Sequence, residues 1–294
     1  MTPDVSVCIV NWNTRELLDA CLSCLRDNAG ELALQAIVVD NASTDGSADM
    51  VQKQHPWVTL VANQENRFYA AANNQALKLA AGPFKLLLNP DIVVPPGSLE
   101  TLLGSMAEHE RAGAVAPRLR EPEGAIQRSC RTFPSPEMVW WEALGLSRAF
   151  PRHPVFAAYR MGWWDYDCER RVDQPMASAL LLRGQALNEI GLFDEQFPMF
   201  FNDVDLCQRL WDAGWQVWFT PAAEMTHHGG ASTRQVRREM IVESHRSFVA
   251  YYRKHYRGKL GPVSYWLAVG MLKAAMWWRL LVHDVKRGRQ PNER

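Results

Sequence analysis

The chain has 294 residues, and its 47% hydrophobic and 22% charged content is that of an ordinary globular protein, which excludes an intrinsically disordered one. The 32 basic and 32 acidic residues give a formal net charge of zero, and no nucleic-acid partner is expected. The charge is uneven, because residues 234–294 carry 14 basic and 4 acidic residues whereas the preceding 233 carry 18 and 28. The two regions therefore face different partners.

The N-terminal sequence starts an apolar strand almost at once and lacks the basic region, apolar stretch and cleavage site of an export signal, so we expect a cytoplasmic protein. The six cysteines are expected to be reduced thiols there. Cys21 and Cys24 have the spacing of half a zinc site, but they lie among leucines on a helical stripe and no second pair follows. We interpret them as core residues.

Residues 5–117 alternate short apolar runs with segments of helical period. Strands are predicted at 5–10, 33–40, 58–62, 84–88 and 112–117, and helices at 14–25, 47–54, 70–80 and 97–109. This alternation predicts an α/β fold of βαβ units, with a mostly parallel central sheet and helices on both faces. Ligands bind such sheets at the carboxyl ends of the strands, which here carry Asn11, Asp40 and Asp91.

The rest of the chain is less regular at first. Residues 118–175 are rich in proline, arginine and aromatic residues, as suits a variable segment that faces a substrate. The pattern then predicts a strand at 174–184, a short helix at 185–191, a helix at 202–214, a strand at 215–220 and a helix at about 234–257, followed by an apolar aromatic segment at 263–282.

The sequence lacks the phosphate-binding loop of P-loop NTPases, the glycine motif of dinucleotide-binding folds after the first strand, and the nucleophile elbow of α/β hydrolases. The remaining candidates are acids: Asp40 and Asp91 after strands, and Asp203 and Asp205 at the start of a helix. Each has a structural alternative, because acids form turns after strands and oppose the helix dipole in a first turn. Asp91 is favoured, since Pro90 fixes the turn that presents it.

The segment HHGGAST, residues 227–233, adds histidines, glycines and hydroxyls just after the last predicted strand. A histidine in a loop is usually a solvated side chain. Oxygen ligands and one imidazole are nevertheless a suitable set for Mg²⁺ or Mn²⁺, so His227 is a candidate for a metal or diphosphate site.

Together these segments resemble glycosyltransferase family 2, in particular its rhamnosyltransferase-like bacterial members. The resemblance covers about residues 4–257, in the right order, and is carried by VSVCIVNWNTRELLDACLSCL, IVVDNASTDGS, NQENRFYAAANNQAL, LLLNPDI, GLFDEQFPMFFNDVDLCQRLWDAGW and HHGGAST. It implies a GT-A fold over residues 1–235, with a nucleotide-sugar-binding half at 1–117 and an acceptor-binding half at 118–235. It also implies that a sugar moves from a nucleoside diphosphate donor with inversion at the anomeric carbon.

The resemblance assigns roles to individual residues of the donor site. Asn11 and Asp40 would hold the nucleoside, with Asp40 accepting a hydrogen bond from the base or ribose. Asn73 and Asn89 are assigned to donor binding with them. The donor itself would be a dTDP- or UDP-linked sugar.

The metal ligands and the catalytic base follow from the same resemblance. Asp91 stands at the last position of the family's D-x-D motif, written here Asn89-Pro90-Asp91, and with His227 it would bind Mg²⁺ or Mn²⁺ on the diphosphate. Asp203 matches the second acid of the family's Glu-Asp pair and would be the general base. The helix N-terminus favours its ionised form, while the apolar residues 197–201 act in the opposite direction.

Two positions depart from the family pattern. Phe68-Tyr69 stands where many members have Gly-Phe, which puts a bulky ring where backbone normally passes freely. Asn202 stands in place of the first acid of the Glu-Asp pair, where it suits a helix N-cap and removes a carboxylate that would raise the pKa of Asp203.

The tail, residues 236–294, is basic and aromatic. Lys273 and Arg279 interrupt the apolar segment 263–282, which makes a full membrane span costly. Tryptophans near its ends and flanking basic residues favour an amphipathic helix on the inner surface of the cell membrane. The alternative is a helix buried against the catalytic domain or against a second copy in a homodimer.

The expected activity is therefore metal-dependent, inverting transfer of a sugar, with rhamnose favoured, to a lipid-linked or polysaccharide acceptor in cell-envelope glycan synthesis. Two alternatives stay open at this point. A nucleotidyltransferase on a similar sheet would release pyrophosphate, and a glycosyltransferase-like binding subunit without turnover is suggested by Phe68 and Asn202.

Overall fold

The computed structural model describes residues 2–229 and 237–288. The strands are β1 Val5–Asn11, β2 Leu34–Asp40, β3 Thr59–Ala62, β4 Phe84–Leu88, β5 Ile92–Val93, β6 Ala112–Arg120, β7 Ile126–Gln127, β8 Cys130–Arg131, β9 Arg170–Arg171, β10 Gln174–Pro175, β11 Ala179–Arg183 and β12 Gln216–His227. The helices are α1 Arg15–Asp27, α2 Ser47–Gln54, α3 Phe68–Leu79, α4 Ser98–Glu108, α5 Pro136–Ala143, α6 Leu146–Ala149, α7 Gly184–Ile190, α8 Asn202–Asp212, α9 Arg237–His255 and α10 Pro262–Gly288. The part of HHGGAST after Gly229 lies outside the described residues.

The central sheet has the strand order β3-β2-β1-β4-β11-β6-β12-β5, with β7 and β9 paired at its margins. β1, β2, β3 and β4 pair in parallel, as do β6 and β12, whereas β11 is antiparallel to both of its neighbours. The predicted α/β architecture with a mostly parallel sheet is therefore confirmed. The carboxyl ends of the parallel strands share one edge, which carries the candidate residues.

Successive residues of the central strands point to opposite faces, and each face is covered by helices. Cys8, Ile37 and Leu87 pack with α3, α7 and α8 on one face, and Val7, Val38 and Leu86 pack with α1, α2 and α4 on the other. Because both faces are buried, these strands read as continuous apolar runs in the sequence.

The strand predicted at 174–184 is divided in the structure. β10 pairs with β8 in a separate two-stranded sheet, whereas β11 enters the central sheet between β4 and β6. Two backbone hydrogen bonds fix the residues between β10 and β11. The Met176 amide donates to the Ser129 carbonyl at 2.9 Å, and the Asn89 amide donates to the Ser178 carbonyl at 2.7 Å. The turn at 176–178 therefore lies beside Asn89.

The six thiols are free, and the core interpretation holds for Cys21, which is fully buried. Burial raises the pKa of its thiol. Cys24 is partly buried, and its Sγ donates to the Val94 carbonyl at 2.9 Å, which ties α1 to the segment after β5.

The tail is two helices that pack on the sheet domain. α10 packs against α9 and α5, and its buried side chains Tyr265, Val269 and Leu272 join Tyr251 and Tyr252 of α9 in an apolar cluster. None of the helices in the described ranges is long and apolar enough to cross a bilayer.

Candidate active site

The ends of β1 and β2 form the first part of the site. Asn11 and Asp40 are register partners, both are buried, and the Asn11 amide donates to Oδ1 of Asp40 at 2.8 Å. The Ser43 backbone amide donates to Oδ2 of Asp40 at 2.9 Å, and the Thr14 hydroxyl donates to Oδ1 of Asn11 at 2.6 Å. A carboxylate has further lone pairs, so Asp40 retains capacity to accept from a ligand while the loop after β2 is held in shape.

The rim next to this pair is the start of α3. Asn41 links the two, because its amide donates to the Phe68 carbonyl at 3.1 Å and its Oδ1 accepts from Asn63 at 3.0 Å. Phe68 has a φ of 59° and is 44% exposed, so its ring lies on the surface. A left-handed conformation explains why glycine suits this position, and phenylalanine adopts it at a steric cost.

Asp91 and His227 come together at the same edge of the sheet. The turn after β4 presents Asp91, and β12 ends at His227, which pairs with Ile92 of β5. The His228 amide donates to the Asp91 carbonyl at 3.0 Å, so the backbones of the two segments are fixed to each other. The side chains of Asp91 and His227 are 7% and 6% exposed, and Oδ1 of Asp91 lies 3.3 Å from Nε2 of His227.

The hydrogen bonds around this pair indicate the chemistry it suits. Nδ1 of His227 lies 2.6 Å from Oε1 of Gln127, which assigns the ring proton to Nδ1 and leaves Nε2 as an acceptor. Among the described residues, Nε2 of His227 and Oδ1 of Asp91 have no hydrogen-bond partner, and both atoms are buried. Two buried acceptors that face each other are unfavourable unless a metal ion or a proton lies between them.

A divalent cation fits this donor set. Carboxylate oxygen and neutral imidazole nitrogen are ligands of Mg²⁺ and Mn²⁺, and neighbouring ligands of an octahedral ion with bonds of about 2.1 Å are about 3 Å apart. The hydrogen bond to Gln127 fixes the orientation of the imidazole ring. Sequence reasoning missed Gln127, because nothing in the sequence shows that β7 lies beside the end of β12.

Asp203 lies in the first turn of α8 and faces the 176–178 turn. Burial raises the pKa of its carboxyl group, and hydrogen bonds from the backbone amides of Val204, at 2.8 Å, and Ala177 partly oppose that shift. The Tyr69 hydroxyl donates to the Ala177 carbonyl at 2.8 Å, and burial, Asp203 and Asp91 all raise the pKa of this phenol. Both acids therefore lie within electrostatic range of Tyr69, which sequence reasoning did not select.

The two asparagines assigned to the donor differ in position. Asn89 is partly buried between Asp91 and the 176–178 turn. Asn73 is almost fully buried, and its amide donates to the Tyr69 carbonyl at 3.0 Å, so it supports Tyr69 from within α3.

The structure decides two points about α8 that the sequence left open. α8 begins at Asn202, so Phe201 is the N-cap, and the buried amide nitrogen of Asn202 has no hydrogen-bond partner among the described residues. Asp205 points away from the candidate site, because its oxygens lie 2.8 Å from Arg209, 2.6 Å from Lys254 and 2.8 Å from His255. It attaches α9 to α8.

A second group of potential metal ligands, Glu108, His109 and Glu169, lies elsewhere. His109 stacks on Trp218 near the amino ends of β6 and β12, which is the opposite edge of the sheet from Asp91. This group is not part of the candidate active site.

Comparisons with known proteins show the family to which the chain belongs. The model of glycosyl transferase family 2 matches residues 6–161. An N-acetylglucosaminyl-diphospho-decaprenol L-rhamnosyltransferase of Mycobacterium tuberculosis is 31% identical over 98% of this chain and 91% of its own length. The O-antigen biosynthesis protein RfbC of Myxococcus xanthus is 28% identical over 79% of this chain and 18% of its own length.

A solved structure supports the fold. The mannosyltransferase PcManGT of Pyrobaculum calidifontis, in complex with GDP-Man and Mn²⁺, superposes with a TM-score of 0.60 and 19% identity, and covers 95% of this chain and 72% of its own. With the match to the family model and the nearly full-length rhamnosyltransferase relative, it follows that the chain is a glycosyltransferase with a GT-A fold and belongs to glycosyl transferase family 2.

Proposed function

We propose that the protein is an inverting, metal-dependent glycosyltransferase that moves rhamnose from a dTDP- or UDP-linked donor to a hydroxyl of a lipid-linked acceptor in cell-envelope glycan synthesis. The observation that carries the proposal is the buried pair of acceptor atoms on Asp91 and His227, 3.3 Å apart. The sugar and the lipid rest on the mycobacterial relative, whose name specifies an L-rhamnosyltransferase and N-acetylglucosaminyl-diphospho-decaprenol.

Asp91 and His227 would hold the divalent cation, Mg²⁺ or Mn²⁺, which when bound supplies Lewis-acid stabilisation for the charge that develops on the departing diphosphate. The contribution of the chain is to fix these ligands in advance. Gln127 orients the imidazole, and the backbone hydrogen bond from His228 fixes Asp91. Their burial strengthens every charge interaction at this edge of the sheet.

Asp203 would accept the proton of the acceptor hydroxyl while the hydroxyl oxygen attacks the anomeric carbon and the bond to the diphosphate breaks. A single displacement of this kind inverts the anomeric carbon. The raised pKa of Asp203 makes it a stronger base than an ordinary aspartate, and its backbone hydrogen bonds orient the carboxylate. General-base assistance is typically worth about 10²- to 10⁴-fold in rate.

The outer face of α10 supports a position at the membrane surface. Its buried face packs on the domain, whereas the opposite face exposes an apolar stripe at helical spacing, in which Trp277 and Trp278 are 68% and 65% exposed. We call this the outer stripe; its apolar members are Val263, Trp266, Leu267, Trp277, Trp278, Leu281 and Val285. Exposed apolar side chains grouped on one face of a helix in this way mark an interaction surface.

We assign the outer stripe to the lipid interface rather than to a second copy of the chain. Tryptophan favours the headgroup level of a bilayer, and the exposed cation Arg279 on the same helix would attract anionic lipid. A lipid-linked acceptor is itself held in that membrane. One face of α10 is thus buried against the domain, as in the buried-helix alternative, while the opposite face is available to contact lipid.

The activity is tested by incubating the protein with dTDP-rhamnose or UDP-sugars, Mn²⁺ or Mg²⁺, and an N-acetylglucosaminyl-diphospho-lipid. We expect release of nucleoside diphosphate and a glycosylated lipid whose new bond has the opposite anomeric configuration to the donor, as read by NMR. Release of pyrophosphate, retention of configuration, or nucleotide binding without transfer across the donor panel would contradict the proposal.

A further inference from the structure

A cleft of about 560 Å³ lies between α9, α10 and the loop that precedes α8. Its walls include Arg246 and Arg253 of α9, Lys273 of α10, and Glu195 and Pro198 of the loop. We call it the tail cleft. Its volume falls in the range of about 300–1,000 Å³ that is usual for small-molecule sites.

The charge of the tail cleft favours an anion. Arg246, Arg253 and Lys273 are exposed and make no ion pair with a carboxylate in the described part of the chain. Arg246 and Arg253 are seven residues apart and so share one side of α9.

The cleft also contains two acids. Oε1 of Glu195 accepts from the Asn74 amide at 3.0 Å, and Oε1 of Glu243 accepts from the Ser247 hydroxyl at 2.9 Å. Both acids are thus engaged by neutral donors, while the cations keep their N–H groups for a ligand. Arginine and lysine in this number suit a phosphate or diphosphate.

The tail cleft continues toward the donor half of the site. A smaller cleft of about 380 Å³ shares Glu195 and Pro198 with it and ends at Arg67 and Phe68, on the rim beside β2. The Ala70 amide donates to the Pro198 carbonyl at 3.0 Å, which holds the shared wall against α3. The same loop then leads into the first turn of α8, where Asp203 lies.

The other end of the tail cleft meets the outer stripe. Lys273 is one helical turn from Trp277 and two turns from Trp266, so the cation in the cleft borders the face assigned to lipid. A diphosphate in the cleft would therefore have the outer stripe on one side and the smaller cleft that includes Phe68 on the other.

We infer that the tail cleft binds the diphosphate of a lipid-diphosphate-linked acceptor, with Arg246, Arg253 and Lys273 as its ligands. The lipid chain leaves along the outer stripe, and the sugar extends past Pro198 toward Asp203. This inference rests on the proposed function, and it adds a binding site for the part of the acceptor that does not react.

The binding test uses geranyl diphosphate and calorimetry in EDTA, so that binding through a metal at Asp91 and His227 does not contribute. We expect the combined Arg246→Gln, Arg253→Gln and Lys273→Gln variant to bind at least about tenfold more weakly than the unmodified chain, as expected when charge-assisted hydrogen bonds are lost. Arg257→Gln is the matched control, because Arg257 is exposed just after α9 and does not line the cleft. Equal binding of geranyl diphosphate by all three proteins would overturn the inference.

A transfer test separates this inference from the proposed function. Two acceptors are compared, an N-acetylglucosaminyl-diphospho-lipid and the corresponding lipid glycoside without phosphate. We expect the triple variant to lose at least about tenfold in kcat/KM on the first acceptor and to keep its rate on the second and its rate of donor hydrolysis. Equal losses on both acceptors would overturn the inference. Absence of any transfer or hydrolysis by the unmodified chain would instead overturn the proposed function, and the calorimetry would then decide whether the tail cleft binds a diphosphate.

Discussion

The imidazole of His227 and the carboxylate of Asp91 present acceptor atoms to each other across 3.3 Å, although they come from opposite halves of the chain. β5 and β12 bring them together, because these strands pair at Ile92 and His227. Removing the charge from one partner should therefore remove the attraction for a cation while the strand pairing keeps the fold.

Asp91→Asn is expected to weaken Mn²⁺-dependent binding of dTDP by at least about tenfold, since loss of a ligand or of its supporting partner costs about 10- to 100-fold or more in metal affinity. Calorimetry of dTDP with and without Mn²⁺ measures the effect. Asp49→Asn on α2 is the control, because Asp49 is exposed and pairs with Lys53 on the surface. Unchanged Mn²⁺-dependent binding in Asp91→Asn would remove Asp91 from the metal site.

Asp203→Asn is expected to lower kcat by about 10²- to 10⁴-fold, the usual contribution of a general base, while donor binding stays unchanged. Since burial raises the pKa of Asp203, its base form is lost at a higher pH than that of an ordinary aspartate. The rate should therefore fall as the pH drops through that raised pKa, with a midpoint above about 3.9. A pH-rate profile for the unmodified protein checks this, and a midpoint at or below the ordinary value would argue against Asp203 as the base.

Asp205→Asn is expected to destabilise the fold by about 3–5 kcal/mol, the cost of breaking a buried ion pair. Hydrogen bonds from His255 and Lys254 and the charge of Arg209 outweigh burial and lower the pKa of Asp205. The stabilisation that the Asp205 carboxylate supplies is therefore complete above its pKa in the unfolded state. It is lost as the pH falls through the lower pKa that the same carboxyl group has in the folded state. Urea denaturation at neutral and acidic pH measures both effects, and a variant as stable as the Asp49→Asn control at neutral pH would contradict this account.

Phe68→Gly is expected to change the KM for the donor while changing the free energy of unfolding by no more than about 1 kcal/mol, because relief of left-handed strain is offset by the extra chain entropy of glycine. Ala42→Gly is the matched control for strain, since Ala42 has a φ of 60°. If Phe68→Gly changes the KM for the donor and Ala42→Gly does not, the change is due to loss of the aromatic ring. Equal changes in both variants would assign it to the backbone.

Combined substitution of Trp266, Trp277 and Trp278 by glutamine is expected to reduce binding to anionic vesicles by at least about tenfold, since these side chains form much of the outer stripe. Vesicle sedimentation measures this, and donor hydrolysis should stay unchanged. Leu79→Gln on α3 is the control, because Leu79 is also exposed and lies outside the tail. Unchanged vesicle binding together with loss of a dimer in sedimentation would assign the stripe to a second copy instead.

The sequence predicted the parts of the fold that local periodicity determines. β1 and β2, which end at Asn11 and Asp40, and β4, which precedes Asp91, lie where strands were expected, because both faces of each are buried. The insertion of β11 between β4 and β6 was not predictable in the same way. Strand order depends on contacts far apart in sequence, and an apolar run does not specify its neighbours.

The sequence motifs predicted which candidate residues lie at the carboxyl edge of the sheet, but they did not distinguish neighbouring residues whose surroundings depend on tertiary contacts. Asp203 and Asp205 both fit an acid in a first helical turn, yet Asp203 faces the 176–178 turn and Asp205 faces α9. The two acids have different surroundings because Lys254 and His255, about fifty residues later in the chain, bind Asp205. Asparagine is a residue type that favours the N-cap position, but in the structure Phe201 and not Asn202 occupies that position.

The attachment of α9 through Asp205 has a further consequence. Asp203 and Asp205 lie on the same turn of α8, Lys254 and His255 bind Asp205 from α9, and α10 packs on α9 with its outer stripe exposed. Asp203 and the outer stripe are thus parts of one packed unit. Under the proposed function, this unit would hold the base at a fixed distance from the bilayer, and the spacing between the lipid and the reactive hydroxyl would then help to select the acceptor.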